Sequence, residues 1–340
     1  MIKIIPVTSR DQWMLEDTVL PLTQSYFYGE IQASLGRQVL RFKIYNGDRV
    51  IGLAECVVYP LVRGRSYLYV PYGPVLTQFD EDISRSLRDF FQSLASKYNL
   101  VFSRFDITGV LPQDVMKFAS GYTLPHESSH FGAYFQPRLE WYTSIAEPDE
   151  AILTAMHQKT RYSVRYAERK GVEIRLYTTG LREHLDSFIM LMKTTASRNG
   201  FSLHDDAYYR TYFDTIEKFK NGFLAEAWYQ GELLASHLLV LEGDTLHYVF
   251  GSSSNEHREV CAPYLLHFKS MIAGRNMGAS FYNFGAISPD GLHYKSLGDF
   301  KQKFGGSSRE HGPYLDIVSN KFWYYIYIVR KYINYIFRKS

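Results

Sequence analysis

One order of segments runs through this chain twice. Ile2 to Val7, IKIIPV, leads into Thr8-Ser9 and an apolar stretch that reads as a helix ending near Leu20, and Val172 to Tyr177, VEIRLY, leads into Thr178-Thr179 and a second such helix ending near Leu191. Each half continues into a hairpin, VLRFKIYNGDRVIGLAECVVYP turning at Asn46-Gly47 and FLAEAWYQGELLASHLLVLEGD turning at Gln230-Gly231. Apolar runs flanking a polar, glycine-bearing pair are the local mark of two antiparallel strands. An aromatic strand closing on glycine follows, SYLYVPYGP and TLHYVFGSS, and a helix then leads to one more strand, SRFDITG with Asp106 and SFYNFGA with Asn283, 177 positions apart. A unit this long is no solenoid repeat, so the repetition means a duplicated domain. The 340 residues suffice for two such domains, each with its own core.

Composition narrows the class. The 38 Lys and Arg against 35 Asp and Glu leave almost no net field, so any affinity for nucleic acid must come from a local cluster. The 28 Tyr and 23 Phe suit half-buried surfaces where one end of a ring stays wet, and they argue against disorder. Cys56 in a strand and Cys261 near a helix start lie in different halves, which predicts reduced, structural thiols in a cytoplasmic protein. No His, Cys or carboxylate group has the spacing of metal ligands, so no metal is expected. The opening MIKIIPVTSRDQW alternates like a strand, which predicts no export leader, and no run reaches the roughly 18 apolar residues of a membrane span. Lys321 to Ser340, KFWYYIYIVRKYINYIFRKS, reads as a helix that either docks on the first domain or rests a basic aromatic face on a membrane surface.

The order strand, helix, hairpin, strand, helix, strand resembles the GNAT acyltransferase fold, so the expected fold class is α/β (α+β), two tandem GNAT-like domains with mixed sheets. In acyl-CoA-dependent members of that fold, a glycine-rich loop after the splayed strand holds the pyrophosphate at a helix N-terminus. At that place this chain has the acidic PYGPVLTQFDED in one half and GSSSNEHREVCAPYLL in the other, which carries Arg258 but no glycine from Val260 to Pro263. Acyl-CoA is therefore disfavoured.

Four segments spread over nearly the whole chain carry a more specific resemblance: HQKTRYSVRYAERKGVEI from His157, ASRNGFSLHDDAYYRTYF from Ala196, YVFGSSSNEHR, and YNFGAISPDGLHYKSLGDFKQKFGG from Tyr282 to Gly306. Together they are similar to the Fem family (FemABX) of aminoacyl-tRNA-dependent ligases, which attach amino acids to peptidoglycan precursors. With no extended heptad stretch after Lys170 or Arg210, the chain looks like the compact type that lacks the helical arm. The resemblance implies a first domain of residues 1–143 plus 308–340 and a second of 144–307. It also implies aminoacyl-tRNA as donor substrate with no further cofactor, a lipid-linked or UDP-linked muramyl peptide as acceptor, and peripheral contact with the inner face of the membrane through the C-terminal helix.

Lys301 matches the family lysine to which oxyanion stabilisation is attributed, and Phe300 its aromatic partner; read without the family, they are a core ring and a solvated strand-end charge. Asp106, at a strand end, is a general-base candidate, although Asn283 at the equivalent place favours a hydrogen-bonding role equally. Where the family's acceptor site has a lysine and an arginine, this chain has Gln32 and His204, the latter four residues before Tyr208. Loss of two cations weakens a diphosphate site, so either Arg37, Arg198 or Arg210 compensates or the acceptor is lipid-linked or another amine. Tyr72 and Tyr248, at equivalent strand ends, are candidates to line the groove, and His237 reads as a satisfied strand histidine. The run Lys159, Arg161, Arg165, Arg169, Lys170 places charge along one helix, a candidate tRNA contact with Lys303, or else an ordinary solvated face. A tRNA-independent N-acyltransferase and a non-catalytic binder of wall precursors remain the competing functions.

Overall fold

A computed structural model describes residues 1–106, 136–287, 295–311 and 314–339. Two compact units divide at Arg138/Leu139 and at Glu310/His311.

The first unit opens with strand β1 (Ile2–Pro6). The helix expected to follow is absent: Arg10–Gln12 forms one 3-10 turn and Asp17 takes a positive φ. Trp13 and Leu15 are instead buried with Val7, Leu53 and Val75, so these apolar residues fill a core from irregular chain. Helix α1 comes later, Tyr26–Ser34, started by Ser25, whose Oγ accepts from the Tyr28 amide at 3.1 Å. The hairpin β2 (Gln38–Asn46) and β3 (Arg49–Pro60) turns at Gly47, whose φ of +62° suits glycine. After β4 (Ser66–Val70) the chain passes a cis Gly73-Pro74 bond, and β5 (Val75–Leu76) pairs back onto β3. Helix α2 (Glu81–Tyr98) is capped by Asp80, and Ile83, Leu87, Phe91 and Leu94 recur on its buried face. That face closes the core over the sheet, and β6 (Leu100–Asp106) runs parallel to β4.

The second unit repeats this plan. Strand β7 (Leu139–Ser144) precedes helices α3 (Asp149–Ala155) and α4 (Gln158–Arg169). Then come β8 (Glu173–Tyr177), α5 (Leu185–Asn199) and α6 (Asp206–Phe219). Helix α5 runs eight residues past the expected end at Leu191, because Met192, Thr195 and Ala196 continue its buried face and Gly200 terminates it in the left-handed region. The hairpin β9 (Gly222–Tyr229) and β10 (Glu232–Glu242) turns at Gln230-Gly231, both at positive φ. Strand β11 (Thr245–Ser253), helix α7 (Ala262–Asn276), β12 (Phe281–Ile287), α8 (Lys295–Gln302) and β13 (Ser307–Glu310) complete the unit.

The chain then returns to the first unit with β14 (Tyr314–Val318) and helix α9 (Lys321–Lys339). The sheet orders are β1-β2-β3-β4-β6-β14 and β13-β7-β12-β11-β10-β9-β8. Because β7 and β13 both pair in the second sheet, the divisions fall at 138 and 310, where 143 and 307 were expected. Helix α9 lays Trp323, Tyr324, Tyr327 and Ile328 against Tyr67, Tyr69 and Phe102, which is the docked alternative for that segment.

Candidate functional site

In the second sheet β11 and β12 pair only at Thr245/Phe281, Leu246/Tyr282 and His247/Asn283, yet both strands continue, so they separate beyond His247. Lys301 points into this region. Its place is on helix α8 and it is 6% exposed, which corrects the picture of a solvated strand-end charge. Nζ donates to the Ala286 carbonyl at 2.7 Å, its single hydrogen bond among the described residues. Burial pushes its pKa down to about 8, opposed by the carboxylate of Glu140. Phe300 is half-buried against the core, in contact with Tyr264, His267 and Phe304.

Polar groups converge on the last paired position. The Asn283 amide donates to Tyr142 Oη at 3.0 Å and lies 3.2 Å from His247 Nδ1, while its Oδ1 accepts from the Gly285 amide at 2.7 Å. Tyr142 donates to Glu140 at 3.1 Å, and Arg309 covers its ring at 4.0 Å. Beneath lies a histidine pair, His237 and His267, with ring centroids 4.2 Å apart, both within 5 Å of Tyr248. His267 Nδ1 is 2.9 Å from Tyr282 Oη, whereas His237 Nδ1 has no hydrogen-bond partner among the described residues, so His237 is not the satisfied histidine expected. Burial holds both imidazoles neutral, His237 at about 3. Of these groups the sequence singles out Asn283, His237 and Tyr248, while Glu140, Tyr142, His247, His267 and Arg309 carry no sequence signal of their own.

In the first sheet Asp106 ends β6, buried, and accepts a hydrogen bond from Tyr69 on β4. Burial lifts its pKa to about 7, opposed by the Tyr69 hydrogen bond and by Arg104. Tyr59, 6.3 Å from Tyr69 between ring centroids, also donates to Gln32 Oε1 at 3.4 Å. Gln32 is buried and accepts from Arg37, whose guanidinium lies 4.8 Å above the Tyr59 ring. Gln32, Arg37 and Asp106 are thus linked by tyrosines. Tyr72, at φ +49°, donates to the Pro137 carbonyl and stacks on His311 at 4.0 Å.

The remaining candidates separate into two groups. His204 stacks on Tyr208 at 4.0 Å, beside Phe250. Arg198 cannot serve as a spare cation, because it bonds the Ser253 and Ser254 carbonyls, Ser253 Oγ and Asn255. On α4, Lys159 is exposed, Arg165 pairs with Glu150 at 3.1 Å, and Arg161 turns back to the Thr154 and Met156 carbonyls at 2.7 and 2.8 Å. Arg161 therefore closes the end of α3 and leaves the exposed stripe. Lys303 is exposed too, and its carbonyl accepts from the His157 amide at 2.9 Å, which sets it beside the start of α4. The helix start after β11 does not suit a CoA pyrophosphate: Cys261 sits at φ +61° and Pro263 supplies no amide. Among the described residues no three His, Cys, Asp or Glu gather as a metal site, and no helix is long and apolar enough to cross a membrane.

The family model described as FemAB family matches residues 115–227 and 217–330. The chain belongs to the FemAB family. A curated relative, the lipid II:glycine glycyltransferase of Staphylococcus epidermidis, is 24% identical over 258 positions, covering 57% of this chain and 61% of its own. This FemAB-family chain thus spans about three-fifths of the length of the curated relatives it matches. Among solved structures, FemX superposes with a TM-score of 0.81 at 19% identity, covering 96% of this chain and all of that one. A tandem GNAT protein from the clavulanic acid biosynthesis pathway superposes at 0.56 with 13% identity, covering 94% and 99%. Both units are GNAT-like mixed sheets.

Proposed function

We propose that this chain moves an amino acid from aminoacyl-tRNA to an amine of a peptidoglycan precursor, building an interpeptide bridge. The observation that carries the reading is Lys301, a buried ammonium with one carbonyl partner, held where β11 and β12 part. Attack of the acceptor amine on the ester carbonyl puts negative charge on its oxygen, and a cation fixed in a dry site stabilises that charge strongly. Collapse expels the ribose oxygen, which takes up a proton as the amine loses one. Phe300 fixes the helix that carries Lys301 through its contacts with Tyr264 and Phe304. Asp106, with a pKa near neutrality, and the groups joined to it through Tyr69 and Tyr59 form the acceptor-side cluster.

The relatives' name, lipid II:glycine glycyltransferase, favours a lipid-linked acceptor over a soluble nucleotide-linked one. Helix α9 fits such a substrate. Phe322, Tyr325, Val329, Tyr332 and Ile333 are exposed along one face, with Lys321 and Arg330 beside them, so the undocked side can lie on an anionic membrane from the cytoplasmic side. Exposed Lys159 and Lys303 are the first tRNA contacts, and Arg165 joins them when its pair with Glu150 opens. The donor needs no further cofactor.

The test is transfer of a labelled amino acid from charged tRNA to lipid-linked precursor in vesicles. Lys301→Ala is expected to lose about 10²–10³ in rate with the fold intact. Product formed undiminished after ribonuclease treatment would overturn the tRNA donor and favour the tRNA-independent acyltransferase. An unchanged rate in Lys301→Ala would remove Lys301 from the chemistry.

A further inference from the structure

We infer that Tyr162 and Tyr166 on α4 form a stacking platform for the unpaired 3′ nucleotides of the donor RNA. The inference rests on the tRNA reading above and names how that partner is held. The two rings are nearly parallel, 19° apart with centroids at 5.8 Å, and Tyr162 is 61% exposed. Arg169 lies 5.9 Å from the Tyr162 ring and Lys170 5.3 Å from that of Tyr166.

Helical periodicity explains why this face is set apart. At about 100° per residue, Lys159, Tyr162, Tyr166, Arg169 and Lys170 fall within one arc of about 100°, opposite the arc of buried Thr160, Val164 and Ala167. The helix therefore spends its outward face on two tyrosines and three cations, none of which contributes to the core. Glu168 lies off that arc, toward α7, where it pairs with Lys269 at 2.9 Å, so its charge is answered away from the platform. Lys303, beside the start of the same helix, extends the positive charge.

Cations that neutralise phosphates next to open aromatic rings are the two components of single-strand recognition, because every base offers a π-face and every nucleotide a phosphate. Within a duplex the base faces are stacked on one another and only the terminal pair exposes one, so these rings fit best the unpaired end that carries the aminoacyl ester. An apolar protein partner would find the cations in its way.

The test is fluorescence anisotropy of the full chain with two labelled RNA hairpins of one stem, one blunt and one with a four-nucleotide single-stranded 3′ extension. The wild type is expected to bind the extended hairpin on the order of tenfold tighter than the blunt one. Tyr162→Ala with Tyr166→Ala should erase that preference while leaving blunt-hairpin affinity, and Tyr162→Trp should keep it. Lys159→Gln with Lys170→Gln should weaken both hairpins alike and flatten the salt dependence. Equal wild-type affinity for the two hairpins, or an undiminished preference in the double alanine variant, overturns the platform and leaves the tRNA donor standing. A wild type that binds neither hairpin overturns both.

Discussion

Among the described residues each unit buries one Lys or Arg, Arg104 on β6 and Lys301 on α8, and the two are held in opposite ways. Arg104 on β6 meets Asp316 on β14 in a two-pronged pair, with N···O distances of 2.7 and 2.6 Å. Tyr324 donates to the same carboxylate at 2.7 Å, and the guanidinium also reaches Tyr327 Oη at 3.4 Å. Among the described residues Lys301 has a carbonyl partner and no paired carboxylate. A saturated ion pair has nothing left to offer a reacting group, whereas an ammonium that uses one donor keeps others. One cation is thus fully engaged in structure, and the other keeps the donors that the proposed chemistry needs. The strands say the same. In the first sheet β4 stops at Val70, paired to Phe105, and the chain folds back as β5, while in the second β11 runs six residues past its last pair with β12.

The sharpest way to break the comparison is to remove each cation. Arg104→Ala leaves the Asp316 carboxylate buried without its cation, so chemical denaturation should show a loss of about 3–5 kcal/mol, with activity falling only as the folded fraction falls. Lys301→Ala should do the reverse, losing about 10²–10³ in transfer rate at little cost in stability. Lys301→Met fills the same space without burying a charge. It should melt higher than the wild type at pH 7, by an amount on the order of 2–3 kcal/mol, since a lysine whose pKa is depressed to about 8 destabilises the fold while protonated. That gain should close as pH rises from about 8 toward the ordinary lysine value. A Met variant no more stable than the wild type at pH 7 would mean the ammonium is well solvated, and the contrast with Arg104 would lose its basis.

Asp106 supplies a second pH test. Its folded pKa is raised to about 7, so the charged carboxylate costs stability, with the cost growing from the unfolded value near 4 and complete above about 7. Asp106→Asn should therefore be stabilising at pH 8, on the order of 2–4 kcal/mol, and neutral at pH 4 by thermal melting. If transfer also needs the carboxylate, the wild-type rate should rise through about pH 7 and fall above about 8 as Lys301 loses its proton. A rate that keeps rising past pH 9 would exclude the ammonium as the oxyanion partner.

The sequence made the second unit more legible than the first, for physical reasons. Hairpins at Asn46-Gly47 and Gln230-Gly231 announce themselves because turn chemistry and alternation are local. The stretch after Ser9 misleads, because Trp13 and Leu15 belong to an apolar run yet fill a core from irregular chain, and the signal that mattered was Ser25 capping α1. Lys301 is recognisable only through its flanking motif, since a lysine's burial has no local mark. The pairing of Arg104 with Asp316 spans 212 positions, and it depends on β14 returning to the first sheet after the whole second unit. No window of sequence contains that information. Periodicity places Arg161 in the basic run, because it counts charges and not which carbonyls they reach.

The smallest predicted effect probes the one anionic influence on Lys301. Glu140 raises the lysine's pKa against the larger depression from burial, and it accepts from Tyr142 in the network that ends at Asn283. Glu140→Gln keeps an acceptor for Tyr142 and removes the charge. Loss of a nearby anion lowers the ammonium's pKa further, so the alkaline limb of the rate profile should move to lower pH by less than about one unit, with the rate at pH 6.5 little changed. A shift to higher pH has the wrong sign for a cation losing an anion. It would mean that the alkaline limb belongs to some other group, and that the buried Lys301 ammonium is not what the pH profile reports.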